Sequence, residues 1–352
     1  PANTVGIVGW VRANLFSGPL NTFLTFFSCY LLWLIIPPLL DWTVFSADFT
    51  GNVGRDCTTE GACWAWLDQR IAQFLYGFYP AEAYWRVNLT ILLLFPALAY
   101  VLFDNLPFSA YGRWFSVAYP FIAAFLLVGG FGLTGITTDK FGGFMLNLVA
   151  GLSGIILSLP IGILLALGRQ SKLPAIRILS VTFIEFIRGV PLITLLFVAV
   201  IILQLFLPPD VSLDQLVRVM IMITLFASAY MAEVIRGGLQ AIPNGQYEAG
   251  QAMGLSYWQS MRLIILPQAL KISIPGIVNT FIGLFKDTTL VSIIGIFEVM
   301  GIFRSASQDA NWGSHVQHAT SYLVAAIVFF VFCFGMSRYS MYIEDKLSRE
   351  NK

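Results

Sequence analysis

Long apolar segments alternate with short polar segments along almost the whole chain. Most of these segments are long enough to cross a hydrocarbon core of ~30 Å as a helix. The pattern predicts an all-α polytopic membrane protein with about eight transmembrane helices. We place them at about 20–40, 88–103, 115–133, 143–167, 178–207, 216–236, 268–285 and 320–341.

One further apolar run, 289–303, is too short and too rich in glycine to predict a span. Irregular backbone is not tolerated against lipid, because its amide and carbonyl groups would lack partners there. We therefore expect this run to be a broken or re-entrant piece that lines a cavity.

The composition agrees with a membrane protein and excludes several function classes. Hydrophobic residues make up 57% of the chain and charged residues 11%, whereas soluble domains carry about 25% charged residues. The four Cys and two His show no metal-ligand spacing, so no metal site is predicted. The chain has no GxxxxGK[ST] phosphate loop and no HExxH or GxSxG motif. We expect neither an ATPase nor another enzyme, and no nucleic-acid partner.

Basic residues predict the orientation in the membrane. With the N-terminus in the cytoplasm, twelve of the twenty Lys and Arg residues face the cytoplasm and five face the other side. Both termini are then cytoplasmic, and segment 41–87 is an extracytoplasmic loop. This loop holds Cys57 and Cys63, which could form a disulfide in an oxidising periplasm. Two free thiols in an amphipathic stretch are the alternative.

A polar stretch rich in small residues, 247–270, separates the sixth and seventh spans. Asn244 is suited to cap a short helix at about 246–253, and Gly254 to end it in a left-handed conformation. Ser256 and Gln259 form a capping-box pattern for a second helix at about 257–266. Pro267 is expected to break or kink the chain before the seventh span.

This pair of short helices has the composition of a docking surface. Ala249, Gly250 and Ala252 would let another protein approach closely, and Tyr247 and Met253 offer an adaptable apolar patch. Such an arrangement suits a cytoplasmic partner that binds through a groove.

The spacing within this stretch resembles the EAA loop of permease subunits of bacterial ABC importers. The family pattern EAA-x3-G-x9-I-x-LP is matched by Glu248-Ala249-Gly250, Gly254 and Ile264-x-Leu266-Pro267, with a departure only at Gly250, where the family has Ala. The resemblance implies a coupling helix that sits in a cleft of the ATPase subunit. The coupling residues that it implies are Tyr247, Glu248, Ala249, Gly250, Met253, Gly254 and Pro267.

Three further stretches, 186–197, 232–246 and 285–295, resemble the polar amino-acid branch of this family. The resemblance covers about 143–345. It implies a five-helix permease core in 143–352 with a coupling loop at about 244–267. The remaining 1–142, with three spans and a periplasmic loop, resembles the extension of the enlarged permeases of general L-amino-acid uptake systems.

The resemblance implies an importer that carries L-amino acids, with broad or polar specificity, from the periplasm to the cytoplasm across a bacterial inner membrane. Its implied partners are two copies of an ATPase that use ATP-Mg, a second and similar but non-identical permease, and a periplasmic amino-acid-binding protein. No cofactor is expected in this chain. The alternative is an ion-coupled secondary transporter of small polar solutes, which should show an inverted repeat and midplane ion ligands, and neither is visible.

Charged and polar residues in or beside spans are candidates for contact with substrate, because burying them in a membrane is costly. Lys286, Asp287 and Thr288 supply a donor, an acceptor and a hydroxyl at a helix break, as a zwitterionic amino acid requires. Thr280, six residues earlier, lies on roughly the same side. It offers no countercharge, which fits a less selective pocket.

Structural readings of the same residues remain open. Lys286 and Asp287 could cap the end of a helix. Arg188 is a further substrate candidate, but before Gly189-Val190-Pro191 it could instead mark a kink with a snorkelling side chain. Glu185, three residues earlier, is expected to pair with Arg188 along one helix face.

Overall fold

The computed structural model describes residues 6–57, 60–103, 106–206, 208, 212–306, 308–309, 311–312 and 315–350. Within these residues the chain is almost entirely helical, and only isolated bridges have extended pairing. The predicted all-α class is therefore confirmed. The first five residues and the last two, on which the predicted cytoplasmic termini fall, lie outside the described part of the chain.

The helices are numbered here in chain order. They are α1 Gly6–Asn14, α2 Pro19–Leu40, α3 Trp64–Tyr76, α4 Tyr84–Leu102, α5 Ser109–Val128, α6 Gly143–Arg169, α7 Pro174–Gly189, α8 Leu192–Phe197, α9 Leu203–Leu205, α10 Gln215–Gln240, α11 Asn244–Ala252, α12 Tyr257–Ser260, α13 Leu266–Asp287, α14 Val299–Ala306 and α15 His315–Glu350. Three π segments extend α2, α8 and α12, at Asp41–Phe45, Val198–Ile202 and Met261–Ile265.

Among the described residues, seven helical segments are long and apolar enough to cross a membrane, and a bent pair raises the number to eight. This agrees with the predicted count. The seventh predicted span is longer than expected, since the chain stays helical from Tyr257 to Ile294. The run 289–303 is broken: a 3-10 segment, Thr288–Ile294, is followed by a turn and by α14.

The fifth predicted span, 178–207, is not one straight helix. Its two parts, Pro174–Gly189 and Leu192–Leu205, meet at 106°. Val190 is extended, with φ −108° and ψ 133°, because the ring of Pro191 disfavours the helical conformation at the preceding residue. Hydropathy did not reveal the bend, because the apolar run continues across it.

A buried arginine stabilises the π segment that follows α8. A π turn leaves backbone carbonyls out of the regular α-helical hydrogen bonding. The guanidinium of Arg218, on α10, donates to the carbonyl oxygens of Val200 at 2.6 Å and Ala199 at 3.4 Å. Arg218 is therefore held by backbone carbonyls inside the protein.

The chain forms two compact units, Pro1–Arg70 with Ala306–Ser321 and Ile71–Ser305 with Tyr322–Lys352. In the first unit, Cys57 and Cys63 are joined by a disulfide with their Cα atoms 5.8 Å apart. The backbone N–H of Cys63 donates to the hydroxyl of Thr320 at 2.9 Å. The predicted boundary between an N-terminal extension, 1–142, and a permease core, 143–352, is a different division and stays a prediction.

In the second unit, α6 and α10 pack closely along their length. Gly162 permits the approach, since a Cβ there would lie 2.7 Å from the Cβ of Met231. Small residues at such contacts let transmembrane helices pack through dispersion forces. One apolar cluster joins the ends of α6 and α10 to the segment that follows α12, through Ala166, Ile235 and Ile265.

Candidate coupling surface and substrate pocket

The predicted hairpin of two short helices is present at α11 and α12. The first helix begins at Asn244, so the expected capping role of Asn244 is wrong. Pro243 takes the N-cap position instead, in an extended conformation that its fixed φ favours, and its carbonyl accepts from the Gln246 N–H at 3.0 Å. Gly254 adopts the predicted left-handed conformation, with φ +72°, just after this helix.

The second helix is capped as the sequence predicts. The Ser256 N–H donates to the Gln259 side chain at 2.9 Å, and the Gln259 N–H donates to the Ser256 hydroxyl at 3.4 Å. Of the predicted break or kink at Pro267, the break is wrong, because Pro267 lies in the first turn of α13 and the helix continues through it, directly after the π segment Met261–Ile265. A proline there needs no hydrogen-bond partner for a backbone N–H.

The hairpin exposes apolar side chains. Met253 is 74% exposed, Trp258 65% and Tyr257 52%, while Ala249 and Glu248 also lie on the surface. Exposed aromatic residues and Met are typical of protein interfaces. Met253, Glu248 and Ala249 were predicted from the sequence, whereas Tyr257 and Trp258 were missed. Their position directly after Ser256, the N-cap of α12, could have indicated that they lie on the hairpin surface.

Two of the predicted coupling residues face inward instead. Gly250 is buried, and a Cβ there would lie 2.6 Å from the Ser260 hydroxyl oxygen. Tyr247 is half-buried and its hydroxyl donates to the Leu239 carbonyl at 3.4 Å. Burial raises the pKa of the Tyr247 phenol. These two residues position the hairpin, and the exposed residues form its outer surface.

The hairpin is tied to the seventh span by both chain continuity and side chains. The Gln268 amide on α13 donates to the Gln246 side chain on α11 at 3.0 Å. Met261 and Ile265, between α12 and α13, are buried in the cluster that holds the end of α10. The hairpin and α13 are therefore joined both by the backbone and by packed side chains.

A polar pocket of about 290 Å³ lies between α10 and α13. Its lining residues come from one face of each helix. They are Phe226, Ala227, Tyr230, Asn279, Thr280, Gly283, Leu284 and Asp287. The pocket thus presents one carboxylate, one amide and two hydroxyls beside small residues that leave room for a ligand.

Two of the predicted substrate residues, Thr280 and Asp287, line this pocket. The Thr280 hydroxyl donates to the Gly276 carbonyl at 2.8 Å, so its oxygen remains able to accept a hydrogen bond. Lys286 is exposed and lies outside the lining. Asn279 and Tyr230 were missed, although Asn279 stands eight residues before Asp287 and hence on the same helix face.

Thr288, the fourth predicted residue, belongs to a different group. It is fully buried, and its hydroxyl lies 3.0 Å from the Asn147 amide nitrogen of α6. The same amide donates to Glu298 at 3.1 Å, and Glu298 also accepts from the Gly301 N–H at 2.9 Å. Burial raises the pKa of Glu298 to about 7. This buried network links the change from α to 3-10 helix after Asp287 to the first turns of α6.

Arg188, the last predicted substrate residue, lies behind the pocket wall. Its guanidinium sits 5.5 Å from the centre of the Tyr230 ring and 3.7 Å from the Glu233 carboxylate. The predicted pairing with Glu185 is not the one formed, because Glu185 binds Arg169 of α6 at 2.7 Å. A neighbouring helix supplies a closer partner than the i, i+3 position does.

Glu233 is the centre of this charged cluster. Arg169 lies 3.0 Å from its carboxylate, Arg236 lies 2.8 Å away, and Arg188 completes the set. The cluster connects α6, α7 and α10 at the hairpin end of α10. Within the described residues, no group of three or more His, Cys, Asp or Glu side chains is arranged to hold a metal ion.

An all-helical membrane protein with an exposed hairpin of two short helices and a small pocket with polar groups fits the permease class of ABC importers. Residues 158–349 match the family described as the binding-protein-dependent transport system inner membrane component. The chain belongs to this family and is a transport permease subunit, whose ATPase is a separate subunit.

Two relatives match over nearly their whole length. The inner membrane amino-acid ABC transporter permease YhdY of Escherichia coli is 47% identical over 96% of this chain and 92% of that protein. The glutamate/glutamine/aspartate/asparagine permease BztC of Rhodobacter capsulatus is 44% identical over 100% of this chain and 96% of that protein. A crystal structure of an amino acid ABC transporter with histidines is 27% identical, with a TM-score of 0.50, over 58% of this chain and 92% of that one.

Proposed function

We propose that this chain forms half of the translocation pathway of an importer for L-amino acids with polar side chains. The observation that carries the proposal is the continuous helical path from Tyr257 to Ile294. One end of this path bears the exposed hairpin surface, and its later turns line the polar pocket with Asn279, Thr280 and Asp287. A motion imposed on the hairpin therefore reaches the pocket without crossing a loop.

The pocket has the groups that an α-amino acid requires. The Asp287 carboxylate and the Thr280 oxygen accept from the ammonium group, and the Asn279 amide donates to the carboxylate. The described lining residues include no Lys, Arg or His. The positive charges beside the pocket are Lys286, next to Asp287 in sequence, and Arg188, behind Tyr230. Amide, short polar and acidic side chains are therefore the proposed substrates, and the name of the Rhodobacter capsulatus relative includes glutamine and asparagine beside glutamate and aspartate.

The proposal includes the partners and the orientation. Two ATPase subunits that use ATP-Mg dock on the hairpins of this chain and of a second, similar but non-identical permease. A periplasmic amino-acid-binding protein delivers the substrate. The distribution of basic residues supports cytoplasmic termini in the inner membrane, and the disulfide supports an oxidising compartment for loop 41–87. The shorter relatives, which match 53–58% of this chain, support a separate extension before a five-helix core in 143–352.

Uptake by the assembled importer in proteoliposomes tests the substrate class. Neutral, acidic and amide amino acids should each compete with labelled glutamine, and a strict preference for basic amino acids would refute the proposed pocket. Thr280→Val should raise the apparent KM for uptake. Thr289→Val is the matched control, since its hydroxyl also donates to a helix carbonyl but lies outside the pocket.

Binding of the purified ATPase tests the hairpin surface. Gly254→Asp, Glu248→Lys and Trp258→Ala should weaken ATPase binding and abolish transport, while membrane insertion stays intact. Trp114→Ala, which removes an equally exposed tryptophan from α5, is the control and should bind the ATPase normally. Normal transport in all three hairpin variants would show that the hairpin does not couple the ATPase to transport.

A further inference from the structure

A second cavity, of about 300 Å³, lies away from the polar pocket. The helices α4 and α5 form one side of it, and α6 and α10 form the other. All four helices are long and apolar enough to cross a membrane. The cavity therefore lies between the last hairpin of the N-terminal extension and the permease core.

Among the described lining residues of this cavity, no side-chain hydroxyl is left to donate a hydrogen bond to a ligand. It carries four hydroxyl groups, and each already donates to a protein oxygen. Thr90 donates to the Arg86 carbonyl, Tyr119 to the Thr90 carbonyl, Ser153 to the Val149 carbonyl and Thr138 to Asp214. The remaining lining residues are aliphatic, aromatic, methionine or proline. A polar solute such as an amino acid would lose its hydration there without compensation.

The size of the cavity favours a slim chain over a whole protein helix as its occupant. A helix with side chains is about 10–12 Å wide and rises about 5.4 Å per turn, so one turn fills roughly 400 Å³ or more. A partner subunit across the opening would cover the space without filling it.

The cavity is continuous with the outer apolar surface of the helices. Ile156 and Val217 both line the cavity and are 43% and 41% exposed. On the neighbouring helices, Phe95 and Phe121 are exposed as well. The opening therefore lies on an apolar outer face of helices that can cross a membrane, and a bilayer offers slim apolar chains to such a face at high concentration.

We propose that this cavity binds the acyl chain of a bilayer phospholipid. The chain fills the space between α4–α5 and α6–α10 and restores the dispersion contacts that an empty space would forfeit. It packs the extension against the core. The inference does not rest on the transported substrate or on the docking of the ATPase.

Photolabelling of the assembled importer tests this site. The complex is reconstituted in nanodiscs of phosphatidylcholine that carries a diazirine in the middle of one acyl chain, and labelled peptides are identified by mass spectrometry. Peptides that contain Met145 and Met220, which both line the cavity, should be labelled. Ala123→Trp fills the cavity and should lower this labelling severalfold. Val117→Trp, on an exposed position of the same helix, should leave it unchanged.

The possible outcomes decide the proposal. Equal labelling of the cavity peptides in wild type and in Ala123→Trp overturns it, and so does crosslinking of those peptides to a partner subunit instead of lipid. If Ala123→Trp fails to insert into the membrane, Ala123→Leu replaces it as a variant that fills less of the cavity. Native mass spectrometry of the wild-type complex should also show phospholipid retained after detergent exchange, and retention of detergent only would refute the site.

Discussion

Replacing Glu233 with Gln should lower the free energy of unfolding of the protein substantially, because Glu233 is the shared partner of three arginines. The side chain of Glu233 is 14% exposed, and those of Arg169, Arg188 and Arg236 are 24%, 35% and 30% exposed. With Glu185, the cluster has three positive and two negative groups. The substitution leaves three guanidinium groups with one carboxylate.

The size of the effect follows from the partial burial of this cluster. Exposed ion pairs contribute ~0.2–1 kcal/mol, whereas removing one partner of a buried pair costs about 3–5 kcal/mol. Glu233 is close to buried but its partners reach solvent, so we expect a loss of about 2–3 kcal/mol in the free energy of unfolding. Because the Gln side chain has the same shape as Glu, the packing is kept, and the loss in the free energy of unfolding measures the contribution of the negative charge.

Denaturant unfolding of the purified permease in a mild detergent measures the loss. Glu82→Gln, which neutralises an exposed carboxylate, is the matched control and should change the free energy of unfolding by less than about 0.5 kcal/mol. A double-mutant cycle with Arg188→Met isolates one pair. Equal stability of Glu233→Gln and Glu82→Gln would refute the central role of Glu233.

Three further predictions concern other parts of the chain. Cys57→Ser with Cys63→Ser should lower the free energy of unfolding by roughly 2 kcal/mol, measured against the oxidised wild type, because the closed loop is short; no change would show that the disulfide contributes nothing. Because burial raises the pKa of Glu298 to about 7, stability from this group is complete below the ordinary glutamate pKa and is lost as the pH rises through about 7. Unfolding midpoints from pH 5 to 8 should therefore fall in wild type and stay flatter in Glu298→Gln. A branched residue at φ +72° carries a backbone strain of at least about 1–2 kcal/mol, so Gly254→Val should lower ATPase binding. Gly254→Asn should be tolerated, because Asn adopts this conformation more readily. Equal binding by both variants would contradict this.

Features governed by local rules could be predicted from the sequence. The number of spans follows from the length that a bilayer demands, and the capped hairpin follows from Ser256, Gln259 and Gly254, whose partners lie within a few residues. The errors at Asn244 and Pro267 are also local. Pro243 takes the N-cap position of α11, where its missing N–H has no cost, and Pro267 lies in a helix that continues from Tyr257, directly after a π segment.

Features set by the crossing of helices could not be predicted from the sequence. Glu185 pairs with Arg169 because α6 passes close to α7, and no pattern within α7 shows this. Tyr230 and Asn279 line the same pocket because α10 and α13 present one face each to the same space. Lys286 and Thr288 neighbour Asp287 in sequence but turn away from that face, since successive helical residues point in different directions.

The contact between Gly250 and Ser260 has a consequence for chimaeric transporters. The family motif has alanine at the third position of the loop, yet in this chain that methyl group would meet the Ser260 hydroxyl oxygen at 2.6 Å. The two positions are sterically complementary, although ten residues separate them. A loop exchanged between permeases to redirect ATPase choice should therefore be cut outside both positions, so that the glycine and the serine move together as one cassette.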